Sequence, residues 1–305
     1  MKNLKEYIKE GLFDDIDKLE GENSLESNAK QLKKEIVDWV SNNYYLSYTL
    51  KNQYKLKKHT IEVDMTTIPP TVNYNYDLYA GNDLTSLNND GKFQWGKVDG
   101  IFSCNECKLL KSLEGAPKEV TYDFTCTYCN SLKTLEGAPK EVGRCFDCSY
   151  CNSITSLKGA PEKVGGDLDC FGCESLKSLK GCPKEIGGWF NCGNCGSLKS
   201  LKGAPEKVRG SFNCSYCSSL ESLEGAPKEI GGDFICIECK SLKSLEGAPK
   251  KVAKTFNCSS CPALTSLKGA PKEVGKDFAC YNYGDQFTED DVKKVSNIKG
   301  KINIG

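Results

Sequence analysis

Residues 134–155 read TLEGAPKEVGRCFDCSYCNSIT. The following stretches are SLKGAPEKVGGDLDCFGCESLK (156–177), SLKGCPKEIGGWFNCGNCGSLK (178–199) and SLKGAPEKVRGSFNCSYCSSLE (200–221), so the unit is 22 residues. Extended both ways, the alignment needs no insertion. A first cysteine column runs through Cys104, Cys126, Cys148, Cys170, Cys192, Cys214, Cys236, Cys258 and Cys280. A second follows three residues later, from Cys107 and Cys129 through Cys261. Two residues before the first stands an aromatic or leucine column: Phe102, Phe124, Phe146, Leu168, Phe190, Phe212, Phe234, Phe256 and Phe278. A constant period means each unit stacks on copies of itself and buries its apolar face only against neighbours.

Within a unit, Phe-x-Cys alternates with period two, which sends both side chains to one face of a short strand. Leu132 and Leu135 then point back inward. Pro139 lacks an N–H, so Gly137-Ala138-Pro139 belongs on an extended return, and Val142 or its equivalent Ile186 re-enters the core before the next strand. The pattern predicts a repeat solenoid, mainly β, with irregular or extended returns. It divides the chain into a flexible or targeting segment (1–23), a helix-plus-strand cap with a degenerate first coil (24–97), the tandem repeats (98–283) and a C-terminal cap (284–305). In the N-terminal cap, Ala29, Leu32, Ile36, Trp39 and Val40 recur at helical spacing over about 27–42. Residues 60–65 alternate as a strand, and Leu78, Ala80, Leu84 and Leu87 form the degenerate coil. At the other end the second cysteine column ends in Tyr283. Thr288-Glu-Asp-Asp291 reads as an N-cap before Val292, Val295 and Ile298, a short lid helix.

The order apolar-x-apolar-x-x-Cys followed by spaced leucines resembles the leucine-rich repeat, most closely its short proline-containing bacterial type. The resemblance covers about 98–283 and implies a right-handed coil stack. The departures are Phe where Leu is usual, Cys at the second strand position, and one extra residue before the following leucine.

Lysine plus arginine and aspartate plus glutamate are each 41, so no net charge favours phosphates or lipid headgroups. No run of 18 or more apolar residues exists, and the N-terminus lacks the apolar core of a secretory signal. Neither nucleic acid nor membrane is expected as a partner. Nineteen cysteines, an odd count in a long chain, point to reduced thiols in a cytosol rather than to disulfides. Eight C-x-x-C pairs raise the alternative of zinc, with Cys126, Cys129, Cys148 and Cys151 as one set of four thiolates, or of redox work. A metal is needed once or twice, whereas this spacing recurs in every coil. The favoured expectation is therefore a buried structural ladder from Cys104 to Cys258, without cofactor, its S–H groups donating weakly to turn carbonyls. Cys145 and Cys182 fall outside the columns. Cys145 sits at an outward strand position, either a tolerated substitution or a reactive thiol; Cys182 replaces the alanine of Gly-Ala-Pro.

Phosphate loops, zinc-protease motifs and serine-hydrolase elbows are all missing, and the single histidine, His59, lies outside the array. No catalysis is expected. Outward strand positions supply the candidate surface for an unidentified protein partner: Asp147 and Asp169, with Tyr150, Phe171, Trp189 and Tyr216 on four successive coils. A basic stripe of Lys158, Lys177, Lys180, Lys199 and Lys202 is interrupted by Glu221, Glu224 and Glu246 and reads as a solvated face.

Met1-Lys2-Asn3-Leu4-Lys5-Glu6-Tyr7-Ile8-Lys9-Glu10 before Gly11 resembles the capsid-targeting peptide of internal proteins of T-even-type bacteriophages. The array likewise resembles cysteine-containing repeat proteins of tailed phages. These resemblances imply cleavage between Glu10 and Gly11, packaging in the virion, and action there or in the host cytoplasm. The function expected is a phage-encoded interaction scaffold. A purely structural virion component and a zinc-binding or thiol-redox protein are the alternatives.

Overall fold

The computed structural model describes residues 24–45, 61–75, 77–281 and 286–304. They form a β-solenoid of about ten turns with one helix near each end. The N-terminal ten residues, His59, Thr60 and Tyr283 lie outside the described residues.

Each lap contributes one strand to each of two sheets. The first holds the Phe-x-Cys segments, and Phe146 stands in register with Phe124 on one side and Leu168 on the other, all parallel. The return half of the lap is more regular than expected. Glu141-Val142 and its equivalents are also two-residue strands, stacked in parallel into a second sheet. Both sheets have twelve strands among the described residues. Val or Ile, β-branched, occupies the inward position of that second sheet in every repeat, while Lys or Glu faces out.

The core lies between the sheets, and its phenylalanines, paired cysteines and paired leucines are buried throughout. Most of the phenylalanine rings stack face to face, Phe102 and Phe124 with centroids 5.4 Å apart at 12° and Phe234 and Phe256 5.5 Å apart at 5°, while Phe190–Phe212 and Phe256–Phe278 are tilted. The separation is close to the strand spacing of a sheet, so successive laps deliver the rings in van der Waals contact. Leu168 interrupts the column and splits it into two aromatic stacks.

Glycine fixes the turn that starts the return. Gly137 has φ +92°, and the Ala138 N–H reaches back to the Leu135 carbonyl at 3.0 Å. A Cβ at Gly137 would lie 2.3 Å from the Glu114 nitrogen of the preceding lap. Glycine alone meets both the left-handed backbone and the close stacking.

The caps follow the sequence with small shifts. Helix α1 (Ser24–Asn43) buries Ala29, Ile36 and Val40. It leads into Tyr44–Tyr45, which pairs antiparallel with Leu78–Ala80. Ile61–Asp64 pairs antiparallel with Thr71–Tyr74 and opens the second sheet. Helix α2 (Glu289–Val295) begins at Thr288, whose side chain and that of Asp291 form a reciprocal capping box. Ile298 is not part of this lid helix. The chain leaves the helix at Ser296, and Asn297–Ile298 adds a last strand to the second sheet, Ile302–Ile304 a last strand to the first. Extending both ladders satisfies more backbone groups than another helical turn at the end of the stack would.

Candidate functional site

The cysteines face the interior. Every member of both columns is buried. From Cys129 onward each second-column thiol donates along the stack to a first-column carbonyl of the preceding lap: Cys129 to Cys104 at 3.0 Å, Cys151 to Cys126 at 3.0 Å, Cys217 to Cys192 at 3.2 Å; Cys107 donates to the Gly81 carbonyl at 3.3 Å. First-column thiols point the other way, Cys170 to the Asn191 carbonyl at 3.2 Å. In the set Cys126, Cys129, Cys148 and Cys151, three thiols thus have a carbonyl partner. Among the described residues no group of three or more His, Cys, Asp or Glu is arranged to hold a metal ion. Burial pushes the Cys192, Cys214 and Cys236 thiols up, which keeps them protonated. Cys145 is half-buried, and burial with the nearby carboxylates of Asp167 and Asp123 pushes its thiol up to about 12. That opposes a reactive thiolate there. Cys182 is half-buried, and burial raises its thiol too.

The outward acids are tied into the fold. Asp147 and Asp169 are neighbours in register on the first sheet. Asp147 accepts from the Ser149 N–H at 2.9 Å and Asp169 from the Phe171 N–H at 2.8 Å. Asn191, Asn213 and Asn257 repeat the same Asx turn. A neighbouring column links laps instead: Asp123 accepts from the Cys145 N–H at 3.0 Å, Asp167 from Trp189 at 2.6 Å, Asp233 from Thr255 at 2.9 Å.

The residue three positions after each of these Asx side chains lies in the left-handed region, as does Tyr128, which holds the same place in a lap with Thr125 in the Asx position. Tyr128 and Tyr150 have φ +58°, Asn194 +55° and Tyr216 +61°, and Gly172 occupies the same place at +69°. Three tyrosines thus stand where glycine or asparagine is the usual choice. Tyr128 and Tyr150 stack with centroids 4.6 Å apart at 5°, and Phe171 meets Tyr150 edge-on at 5.5 Å. The Tyr150 ring lies over Gly172, where a Cβ would come within 2.7 Å of it. The result is a ridge three rings long: Tyr128 is 45% exposed, while Tyr150 and Phe171 are half-buried. Sequence reading missed Tyr128, although the Gly172 and Asn194 of its column carried the signal.

Of the four aromatics singled out from sequence, the structure brings Tyr150 and Phe171 together. Tyr216 shares the column of Tyr150 but lies farther along the array, exposed. Trp189, 41% exposed, stands just before the strand Phe190–Asn191, in the column whose Asp members link laps.

The lysine-rich stripe is partly neutralised between laps. Lys158 pairs with Glu136 at 2.7 Å, Lys202 with Glu224 at 3.0 Å, and Lys199 approaches Glu221 at 3.9 Å. On the second sheet, Glu185 receives both Lys207 and Arg209 from the next lap. No helix among the described residues is long and apolar enough to cross a membrane. No family model, no curated protein and no solved structure matches this chain.

Proposed function

We propose that this chain is a non-catalytic scaffold that binds a partner protein through the ridge of Tyr128, Tyr150 and Phe171. The observation that carries this reading is the outward ring stack of Tyr128 on Tyr150, centroids 4.6 Å apart at 5°, with Phe171 edge-on to it. A non-glycine residue in the left-handed region costs on the order of 1–2 kcal/mol. Glu106, Glu238 and Ser260 share this conformation, so the strain belongs to the turn, and the stacked rings are what set the laps of Tyr128 and Tyr150 apart. Aromatic anchors with few rotatable bonds dominate protein interfaces, and the ridge presents them on a stack with little freedom to move.

The leucine spacing supports kinship with leucine-rich repeats, although the second sheet is a further departure from that pattern. The first ten residues support a phage origin, with packaging in the virion and trimming between Glu10 and Gly11. A pull-down from host lysate tests the ridge: capture by the wild type should be lost in the double variant Tyr128→Ala, Tyr150→Ala. Unchanged capture by that variant, with its fold intact, would refute the reading. Mass spectrometry of purified virions tests the packaging: a mature chain beginning at Gly11 supports it, and an intact Met1 in particles opposes it.

A further inference from the structure

We propose that the C-terminal end of the solenoid binds an acidic, extended peptide, which adds as a strand to Ile302–Ile304. The bond that repeats up the first sheet runs from Phe146 N–H to the Asp167 carbonyl at 2.9 Å and from Phe212 to Asp233 at 2.8 Å. It ends with Phe278 N–H to the Lys301 carbonyl at 2.9 Å. Ile302 holds the same place one lap later, and its strand is the last of the sheet. Among the described residues no further strand pairs with it, so this edge is a template for an added strand.

A groove of about 950 Å³ runs beside that edge. Its apolar lining comes from Val295, Ile298 and Ile302, all half-buried, which suits the alternate side chains of an added strand. Ser296, whose buried hydroxyl has no hydrogen-bond partner, forms part of the wall. The charged lining is one-sided: Lys272, Lys293, Lys294 and Lys301 against Glu289. Lys293 and Lys294 pair with Glu289 and Asp291 of their own helix. Lys272 and Lys301 form no ion pair among the described residues, so an acidic ligand finds two free cations.

The same lysines argue against a second copy as occupant. A two-fold pairing of identical edges sets each basic rim against its twin, a like-charge arrangement that disfavours association. The other end of the stack differs, because the twenty-residue helix α1 packs Ile36 and Val40 into the core there.

The test is fluorescence anisotropy of the full chain with a labelled octapeptide of alternating valine and glutamate, at about 50 mM salt, where screening is weak. Alternating valine–lysine and proline–glutamate octapeptides are the controls. The account expects binding of the valine–glutamate probe, with both controls at least about tenfold weaker. The double variant Lys272→Glu, Lys301→Glu should lose binding. So should Ile302→Pro, which removes the outward N–H but leaves the inward ladder. The double variant Tyr128→Ala, Tyr150→Ala should bind the probe normally, which separates this site from the ridge. Absence of binding overturns the proposal. Equal binding of the proline–glutamate probe overturns it too, because charge alone then suffices without a strand. Sedimentation showing self-association that Ile302→Pro abolishes would assign the edge to a second copy and equally overturn it.

Discussion

The Cys195 thiol donates to the Cys170 carbonyl 3.3 Å away on the preceding lap. Cys217 does the same to Cys192, and the relationship repeats along the array. The thiol therefore acts both as a small apolar filler and as a hydrogen-bond donor. Cys195→Val fills the space but removes the donor, and should lower stability by about 1–3 kcal/mol. Cys195→Ser keeps a donor and should cost less than valine. Urea denaturation of the two variants checks the order; valine as the milder change would reduce the cysteines to packing alone.

Phe212 lies between Phe190 and Phe234, with centroids 5.0 and 5.2 Å away. Phe212→Ala should cost about 3–5 kcal/mol, because the rings above and below are held by their own strands and close the cavity only in part. Phe212→Leu should be far milder, since Leu168 already fills the equivalent place. Thermal melts of both variants supply the comparison.

What the sequence made legible is what repeats with large side chains. The phenylalanine, cysteine and leucine columns share one phase, and the core they imply is the core observed. The second sheet was hidden because Glu141–Val142 and its equivalents are too short to show alternation and follow a proline. The charge order was printed in the chain as well: Lys163, Glu185, Lys207 and Glu229 alternate from lap to lap. It is visible only when residues 22 apart are treated as neighbours. Asp147 and Asp169 looked like a binding surface because strand alternation places them outward. Their bonds to Ser149 and Phe171 depend on a turn conformation that side-chain periodicity does not report.

Burial, reinforced by Asp147, raises the Asp169 carboxyl above the usual aspartate range, while the Phe171 N–H opposes the shift. The folded state therefore holds this proton more readily than the unfolded chain does. The stability this contributes is complete below the ordinary aspartate value and is lost as pH rises through the folded one. Asp169→Asn keeps an acceptor for Phe171, as Asn191 does for Gly193. The variant should match or exceed the wild type at neutral pH, by up to about 1 kcal/mol, and the difference should shrink towards acid. Melting temperatures followed across the acid range give the comparison; a gap that widens on acidification would reverse the assignment.

Tyr216, exposed at φ +61° and without a stacked ring among the described residues, isolates the backbone strain from ring contacts. Tyr216→Gly should raise stability by roughly 0.5–1 kcal/mol. Tyr216→Val, β-branched, should lower it. Denaturation midpoints for the pair decide whether the aromatic column is held at a cost to the fold.

The central claim is that the seventeen cysteines of the two columns are an inert interior. Titration of the native protein with a thiol-reactive chromogen, in the presence of a metal chelator, tests it most directly. The account predicts slow reaction at no more than Cys145 and Cys182, with the full count appearing only after denaturant is added. Rapid reaction of the paired cysteines in the folded protein, as from thiolates facing water or released from a metal, would contradict it.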